Sequence, residues 1–152
     1  MIAKEKLNIL WSLEQTAEKY ADRVAVSDVN QELTWKELVK KAQVIGAELS
    51  EKVQPGNPVP VLLEKSSETL AVMLGIVYAG CFYVPVNPMN PTERLRKIME
   101  KLDPEVIISD EKGKEQLAAV GNGLENKVMG PEALKTATGT ELSEEQYLSL
   151  IH

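Results

Sequence analysis

Residues 59–86, VPVLLEKSSETLAVMLGIVYAGCFYVPV, contain the pattern that decides the fold. A short apolar run at 59–64 is followed by a longer, mostly apolar segment at 68–79 and by a second short run at 82–86. Runs of about 4–8 residues are typical of buried strands, and longer ones are typical of helices. Gly80 suits the left-handed position that follows the last turn of a helix. The segment therefore predicts two buried parallel strands joined by a right-handed helical crossover.

The helix of this unit is apolar on nearly every side between Leu70 and Ala79, so we expect neighbouring elements to cover most of it. Ser66 or Ser67 is expected to cap its first turn. Pro60 lacks the N–H group that a ladder needs, so the first strand is expected to pair only beyond it.

Three prolines, Pro85, Pro88 and Pro91, stiffen the connection that leaves the second strand. Asn90 and Glu93 have the spacing of a capping box, with Pro91 at the first helical position. Apolar residues then recur at helical spacing, at Leu95, Ile98, Met99 and Leu102. Stiff loops after strands build sites in α/β proteins. Prolines also stabilise a fold by about 0.4–1 kcal/mol each where the backbone conformation suits them. This stabilisation accounts for the three prolines without any functional site.

The downstream sequence continues the alternation of strands and helices. Residues 104–110 predict a buried strand, residues 111–120 a weaker helix, and residues 126–130 a short strand. Ser143 and Gln146 have capping spacing at the start of a last predicted helix.

The upstream sequence predicts a helix over 8–20 that begins at an asparagine cap. Two short β-prone runs at 24–27 and 32–34 predict a hairpin. Thr34 and Glu37 have capping-box spacing at the start of the next helix.

Together these elements predict a single α/β unit over residues 1–152. Strands that alternate with helices form parallel sheets. We expect a layered parallel sheet with helices on both faces, and with the hairpin alongside it or as a mixed edge. The expected strands lie near 59–64, 82–86, 105–109 and 126–129.

Composition narrows the class of protein. The chain has 152 residues, 43% of them hydrophobic, which is enough for a packed core. A net charge of −6 repels phosphate backbones, so we expect no nucleic-acid partner. The longest apolar stretch, 70–86, is interrupted by Gly75 and Gly80 and is shorter than a membrane span, and no secretory signal is recognised. We expect a cytoplasmic protein with no membrane partner.

The sequence offers no candidate residue for a catalytic, cofactor-binding or metal-binding role. The single cysteine, Cys81, lies in an apolar run, and the single histidine is His152, so a small buried side chain is the preferred interpretation over a nucleophile. Residues 136–141, TATGTE, contain one glycine and no lysine, which favours a polar loop over a phosphate loop.

The quoted residues resemble the N-terminal part of adenylate-forming, AMP-binding enzymes of the amino-acid-activating branch. That branch contains the adenylation domains of peptide synthetases and the D-alanine–carrier-protein ligases. Residues 33–38, LTWKEL, resemble the family's early L-[ST]-Y-x-E-L motif, and residues 74–95, LGIVYAGCFYVPVNPMNPTERL, resemble its second motif. Residues 15–28 and 106–110 match the flanking segments, in the same order. The departures are Pro60, Phe82, Tyr78 in place of the usual lysine, and Asn87 in place of the usual aspartate.

The resemblance implies that the functional motifs follow beyond these residues. They are the phosphate loop, the substrate pocket, the ribose-binding aspartate and the C-terminal lysine. The implied parent enzyme uses ATP and Mg²⁺ to form an aminoacyl-adenylate, and passes the acyl group to the phosphopantetheine thiol of a carrier protein. We expect this truncated N-terminal subdomain to be an inactive scaffold that holds no cofactor itself. Its expected partners are the remainder of the adenylation domain and further copies of the chain, through exposed apolar surface.

Three other interpretations stay open from the sequence. A stand-alone α/β interaction module without catalysis is the main alternative to a ligase fragment. A small nucleotide-binding regulator is disfavoured by the missing phosphate loop. An acyl- or aryl-CoA ligase is a minor option, because the selectivity residues lie outside the chain.

Overall fold

The computed structural model describes residues 8–135. The polar loop predicted at 136–141 and the helix predicted after Ser143 lie outside the described residues. The elements, in chain order, are α1 (Ile9–Lys19), β1 (Val24–Ser27), β2 (Glu32–Thr34), α2 (Trp35–Ser50), β3 (Pro58–Leu62), α3 (Ser67–Tyr78), β4 (Phe82–Pro85), α4 (Thr92–Leu102), β5 (Ile107–Ser109), α5 (Glu111–Val120), β6 (Val128–Met129) and α6 (Pro131–Lys135).

Four of the strands form one parallel sheet in the order β4-β3-β5-β6, which confirms the predicted α/β class. The hairpin β1–β2 is antiparallel and forms a separate two-stranded sheet, so it does not make a mixed edge. The predicted strand at 126–130 is shorter than expected, because a 3₁₀ turn occupies Leu124–Lys127 before β6 begins.

The two prolines of β3 lie where the missing N–H groups are not needed. The carbonyl groups of Asn57 and Val61 accept hydrogen bonds from β4, so the alternate residues Pro58 and Pro60 face β5. The ladder with β5 begins only at Val61, whereas the ladder with β4 already includes Pro58. The prediction that β3 pairs only beyond Pro60 is therefore correct toward β5 and wrong toward β4.

Strand β4 is not buried, which corrects the prediction for residues 82–86. It lies at the edge of the sheet, and Phe82 and Tyr83 are 51% and 39% exposed. An apolar sequence does not distinguish an edge strand from a central one. The N–H groups of Phe82 and Val86 point toward β3, so Pro85 faces outward and deprives the free edge of one donor.

Helices cover both faces of the sheet, as predicted. On one face α1, α2 and α3 pack against Val59, Val61 and Ile108. On the other, α4 and α5 pack against Leu62 and Ile107. The most extensive contact between two elements is that of α2 with α3, where two glycines let the helices approach. A Cβ atom on Gly46 would stand 2.5 Å from the Cβ atom of Tyr78, and one on Gly75 would overlap Ile45.

Three helix caps match the sequence predictions and one does not. The side chains of Asn8, Thr34 and Ser66 accept backbone N–H groups at the starts of α1, α2 and α3. Gly80 has φ +78°, as expected after α3. The capping box at Asn90 is wrong, because α4 has Pro91 as its N-cap residue and no side-chain cap bond.

One buried polar cluster ties α1, α2 and α3 together. The hydroxyl group of Tyr78, which is fully buried, donates to Glu14 Oε1 at 2.7 Å, and Gln43 Nε2 donates to the same oxygen at 3.4 Å. Burial raises the pKa of the Glu14 carboxyl above its ordinary value. Tyr78, at the position where the resemblance expects lysine, thus joins α3 to α1.

None of the helices within residues 8–135 has the length and apolar character that a membrane crossing requires.

Candidate functional site at the carboxyl edge of the sheet

The topology of the sheet makes the carboxyl ends of β3 and β5 the expected position of a binding site. The two strands are parallel neighbours, but α3 leaves β3 toward one face of the sheet and α5 leaves β5 toward the other. In parallel sheets the crevice at such a switch point is where ligands bind. The segments that border it are 63–66 and Asp110.

On the β3 side of the crevice, the loop after β3 forms hydrogen bonds with the first turn of α3. The hydroxyl group of Ser66 accepts the N–H group of Thr69 at 3.1 Å. The hydroxyl group of Thr69 in turn donates to the carbonyl group of Glu64 at 2.5 Å. These bonds hold the loop after β3 against the first turn of the helix and occupy the backbone donor and the hydroxyl group of Thr69.

A carboxylate from the hairpin completes this closure. Asp28 Oδ2 accepts both the N–H group of Ser67, at 2.8 Å, and its hydroxyl group, at 2.6 Å. Asp28 Oδ1 accepts the N–H groups of Asn30 and Gln31, at 2.7 and 2.9 Å. The bonds from Ser67, and then those from the turn, hold the pKa of the Asp28 carboxyl well below its usual range. The hairpin therefore places a lasting negative charge at the start of α3.

The start of α5, on the β5 side, is closed in the same way. Asp110 Oδ1 accepts the N–H group of Gly113 at 2.8 Å. The hydroxyl group of Ser109, which is buried, donates to the carbonyl group of Asp110 at 2.9 Å. A Cβ atom on Gly113 would collide with Ser109 Oγ, so this glycine allows the helix to start close to the strand.

The chemistry available at this crevice is limited. Both helix starts that face it carry a carboxylate of the chain, so a phosphate group would meet negative charge there. Lys65 is exposed in the loop after β3, next to the equally exposed Glu64. Within residues 8–135 no group of three or more His, Cys, Asp or Glu side chains is arranged to hold a metal ion.

Cys81, which the sequence suggested as a small buried residue, is buried at the opposite, amino end of the sheet. Its Sγ atom lies 3.4 Å from the carbonyl oxygen of Gln54. Burial raises the pKa of the thiol, which makes a nucleophilic role unfavourable.

Sequence reasoning missed two residues of this crevice. Asp110 comes directly before a helical pattern of apolar residues, which is the ordinary sequence signal of a helix cap. The sequence alone could therefore have predicted this cap. Asp28 had no such signal, because its partner Ser67 is 39 residues away in the chain.

Comparisons with known proteins show the family to which this chain belongs. The family model described as AMP-binding enzyme matches residues 13–147. One component of the mycosubtilin synthase of Bacillus subtilis is 36% identical over 113 residues, which are 74% of this chain and 4% of that protein. Bacitracin synthase 1 of Bacillus licheniformis is 37% identical over 107 residues, which are 70% of this chain and 2% of that protein.

Solved structures have the same fold. NpsA-ThdA, an artificially fused adenylation–PCP di-domain from Klebsiella oxytoca, matches with a TM-score of 0.74 at 22% identity, over 93% of this chain and 25% of that chain. The crystal structure of VinN matches with a TM-score of 0.73 at 26% identity, over 91% of this chain and 34% of that chain. This chain thus spans about a quarter to a third of these structures and a few per cent of the synthases. It belongs to the AMP-binding enzyme family and corresponds to the N-terminal part of an adenylation domain.

Proposed function

We propose that this chain is the N-terminal scaffold of an ATP-dependent enzyme that activates an amino acid and passes it to a carrier thiol. The family membership and the similarity to peptide synthases support an amino acid as the substrate. The similarity to an adenylation–PCP di-domain supports a carrier protein as the partner. A D-alanine–carrier-protein ligase, which carries out the same type of reaction, is the alternative parent enzyme. We propose the cytoplasm as the location, since ATP is available there.

The proposed reaction has two steps. A carboxylate oxygen of the amino acid attacks the α-phosphorus of ATP, and the bond to the bridging oxygen breaks, so that pyrophosphate leaves. The thiolate sulfur of the carrier then attacks the acyl carbon of the adenylate, and AMP leaves. Such steps depend on positioning and on charge stabilisation at phosphoryl oxygens. Within residues 8–135 no set of side chains is arranged to bind a cation, and the starts of α3 and α5 each carry a carboxylate of the chain, so we assign these residues no step.

The occupied helix starts at the β3–β5 crevice carry the second part of the proposal, that the chain alone is inactive. Asp28 and Asp110 accept the backbone N–H groups of Ser67 and Gly113, and they place negative charge where a phosphate group would otherwise bind. Residues that grip the nucleotide must then come from the remainder of the adenylation domain.

The free edge of the sheet is the proposed contact with that remainder. Phe82 and Tyr83 are exposed on β4, one toward each face of the sheet, and Met89 is exposed in the following loop. Pro85 removes an outward N–H group, so we propose docking through side chains rather than by strand addition. In the isolated chain this same surface is expected to cause self-association.

An exchange assay tests the proposal. Residues 1–152 alone are expected to give no amino-acid-dependent exchange between ATP and pyrophosphate. A chimera in which residues 13–135 replace their counterpart in a peptide-synthetase adenylation domain is expected to retain exchange. The control is the same chimera with Gly75→Leu, which prevents the α2–α3 contact. Exchange by the isolated chain, or a folded chimera without exchange, contradicts the proposal.

A further inference from the structure

A groove lies between α2, α3 and α6, and the proposed function does not use it. Its volume is about 480 Å³. Its floor and walls are apolar and its rim is charged. The apolar lining residues are Val44, Ile45, Ala71, Val72, Pro131 and Leu134.

The charges on the rim are arranged in two groups. Glu37 and Glu68 belong to the first turns of α2 and α3, so they mark the end of the groove where both helices begin. Lys40 and Lys41 lie one turn further along α2, and neither forms an ion pair within residues 8–135. The middle of the groove therefore combines an apolar floor with two lysines that are open to an acidic partner.

The sequence directly after α6 has the complementary pattern. Leu134, in one wall of the groove, is two positions before residue 136. Residues 143–151, SEEQYLSLI, contain Tyr147, Leu148 and Ile151 at helical spacing, and Glu144 and Glu145 precede them. The seven residues 136–142 form a tether that reaches up to roughly 24 Å when extended. Apolar character, charge and reach all match the groove.

We infer that residues 143–151 of this chain bind in the groove between α2, α3 and α6. Tyr147, Leu148 and Ile151 cover the apolar floor, and the two glutamates face Lys40 and Lys41. A helix that lays one apolar side into such a groove is a common mode of recognition. This inference goes beyond the proposed function and does not depend on it.

Disulfide trapping tests the inference on the full 152-residue chain. In a Cys81→Ala background, Val44→Cys combined with Leu148→Cys places one thiol in the groove and one in the segment. The matched control combines Leu148→Cys with Lys112→Cys, an exposed position of α5 on the other face of the sheet. At high dilution the groove pair is expected to form an intramolecular disulfide at least about tenfold faster than the control pair, because binding raises the effective concentration.

A charge exchange provides the second measurement. Adding Lys40→Glu and Lys41→Glu is expected to slow the trapping by roughly two- to fivefold, as for exposed ion pairs. Adding Glu144→Lys and Glu145→Lys as well is expected to restore the rate. Far-UV circular dichroism checks that each variant is folded.

Three outcomes overturn the inference. The first is equal trapping rates for the groove pair and the control pair. The second is a product that is mainly a disulfide-linked dimer, which would assign the groove to a second copy. The third is a trapping rate that does not respond to the lysine and glutamate exchanges. None of these outcomes bears on the exchange of ATP and pyrophosphate, so the two proposals fail separately.

Discussion

On one face of the sheet α2 and α3 meet through Gly46 and Gly75, with a buried tyrosine bonded across to α1. On the other face α4 begins without a side-chain cap and carries an exposed ion pair, Glu93–Arg96, on its outer side. Its buried side is limited to a smaller cluster around Leu95 and Met99. The α2–α3 face thus depends on close fit, and the α4–α5 face on a narrow apolar stripe.

The largest expected effects come from cavities on the two faces. Ile76→Ala and Leu95→Ala each empty a site that is fully buried, one under α3 and one under α4. We expect each to lower the free energy of unfolding by about 2–5 kcal/mol, with Leu95→Ala at the lower end because it belongs to the smaller buried cluster. Urea denaturation measures both, and Val29→Ala, at a fully exposed position, is the control. A larger loss of unfolding free energy for Leu95→Ala than for Ile76→Ala would contradict the expected difference between the two faces.

Gly75→Ala tests the close fit directly. The added methyl group would overlap Ile45 and approach the carbonyl oxygen of Ala42 to 3.1 Å. We expect a loss of about 1–3 kcal/mol in the free energy of unfolding, since overpacking forces the helices apart. Gly130→Ala, where an added Cβ atom meets nothing within 4 Å, should leave the unfolding curve nearly unchanged. Equal curves for both variants would show that α2 and α3 have room to spare.

Tyr78→Phe removes one hydroxyl group from the cluster that joins α1 to α3. The Glu14 carboxylate then loses its 2.7 Å donor while it stays half-buried. We expect a loss of about 1–2 kcal/mol, measured by thermal or urea unfolding. Tyr83→Phe, at the exposed edge, is the matched control and should change stability very little.

Glu14→Gln is expected to change the pH dependence of stability. Burial raises the folded-state pKa of Glu14 above its ordinary value of 4.5, so the folded state favours the protonated form. That contribution is complete below about pH 4.5 and is lost as pH rises through the raised pKa. The stability of Glu14→Gln relative to the wild type should therefore increase with pH in the range just above 4.5. Unfolding curves recorded from pH 4 to 7 measure the difference, and a decrease would contradict this account.

Phe82→Ser is expected to have the smallest effect on folding. Phe82 is half exposed on β4, so we expect the free energy of unfolding to change by at most about 0.5 kcal/mol. Self-association, measured by sedimentation at high concentration, should nevertheless decrease. Val29→Ser, an exposed apolar position in the hairpin turn, should not alter the sedimentation. A large loss of stability would mean that the edge belongs to the core.

Local patterns predicted most of the fold. The strand–helix–strand unit at 59–86 and the caps at Asn8, Thr34 and Ser66 follow from spacing and side-chain chemistry alone. The start of α4 was misplaced because Asn90 is used by the turn, where its N–H group donates to the carbonyl oxygen of Asn87. Asn87, in place of the family's usual aspartate, accepts the N–H group of Met89 at 2.9 Å.

What the sequence could not reveal depends on contacts between distant segments. The edge position of β4 follows from the strand order, which no local pattern contains. The carboxylate of Asp28 at the start of α3 likewise depends on the hairpin folding over that helix. The groove between α2, α3 and α6 could not be predicted either, because it depends on how three helices are placed in the fold.

Because Pro85 faces outward on β4, it limits how copies of the protein can assemble at this edge in concentrated solution. Growth of a cross-β fibril needs a continuous row of backbone donors, to which one chain after another can add. The short β4 strand offers an interrupted row. Copies that meet through the aromatic side chains of β4 are therefore expected to stop at small closed assemblies, and this edge should not promote fibril growth as an ordinary exposed strand would.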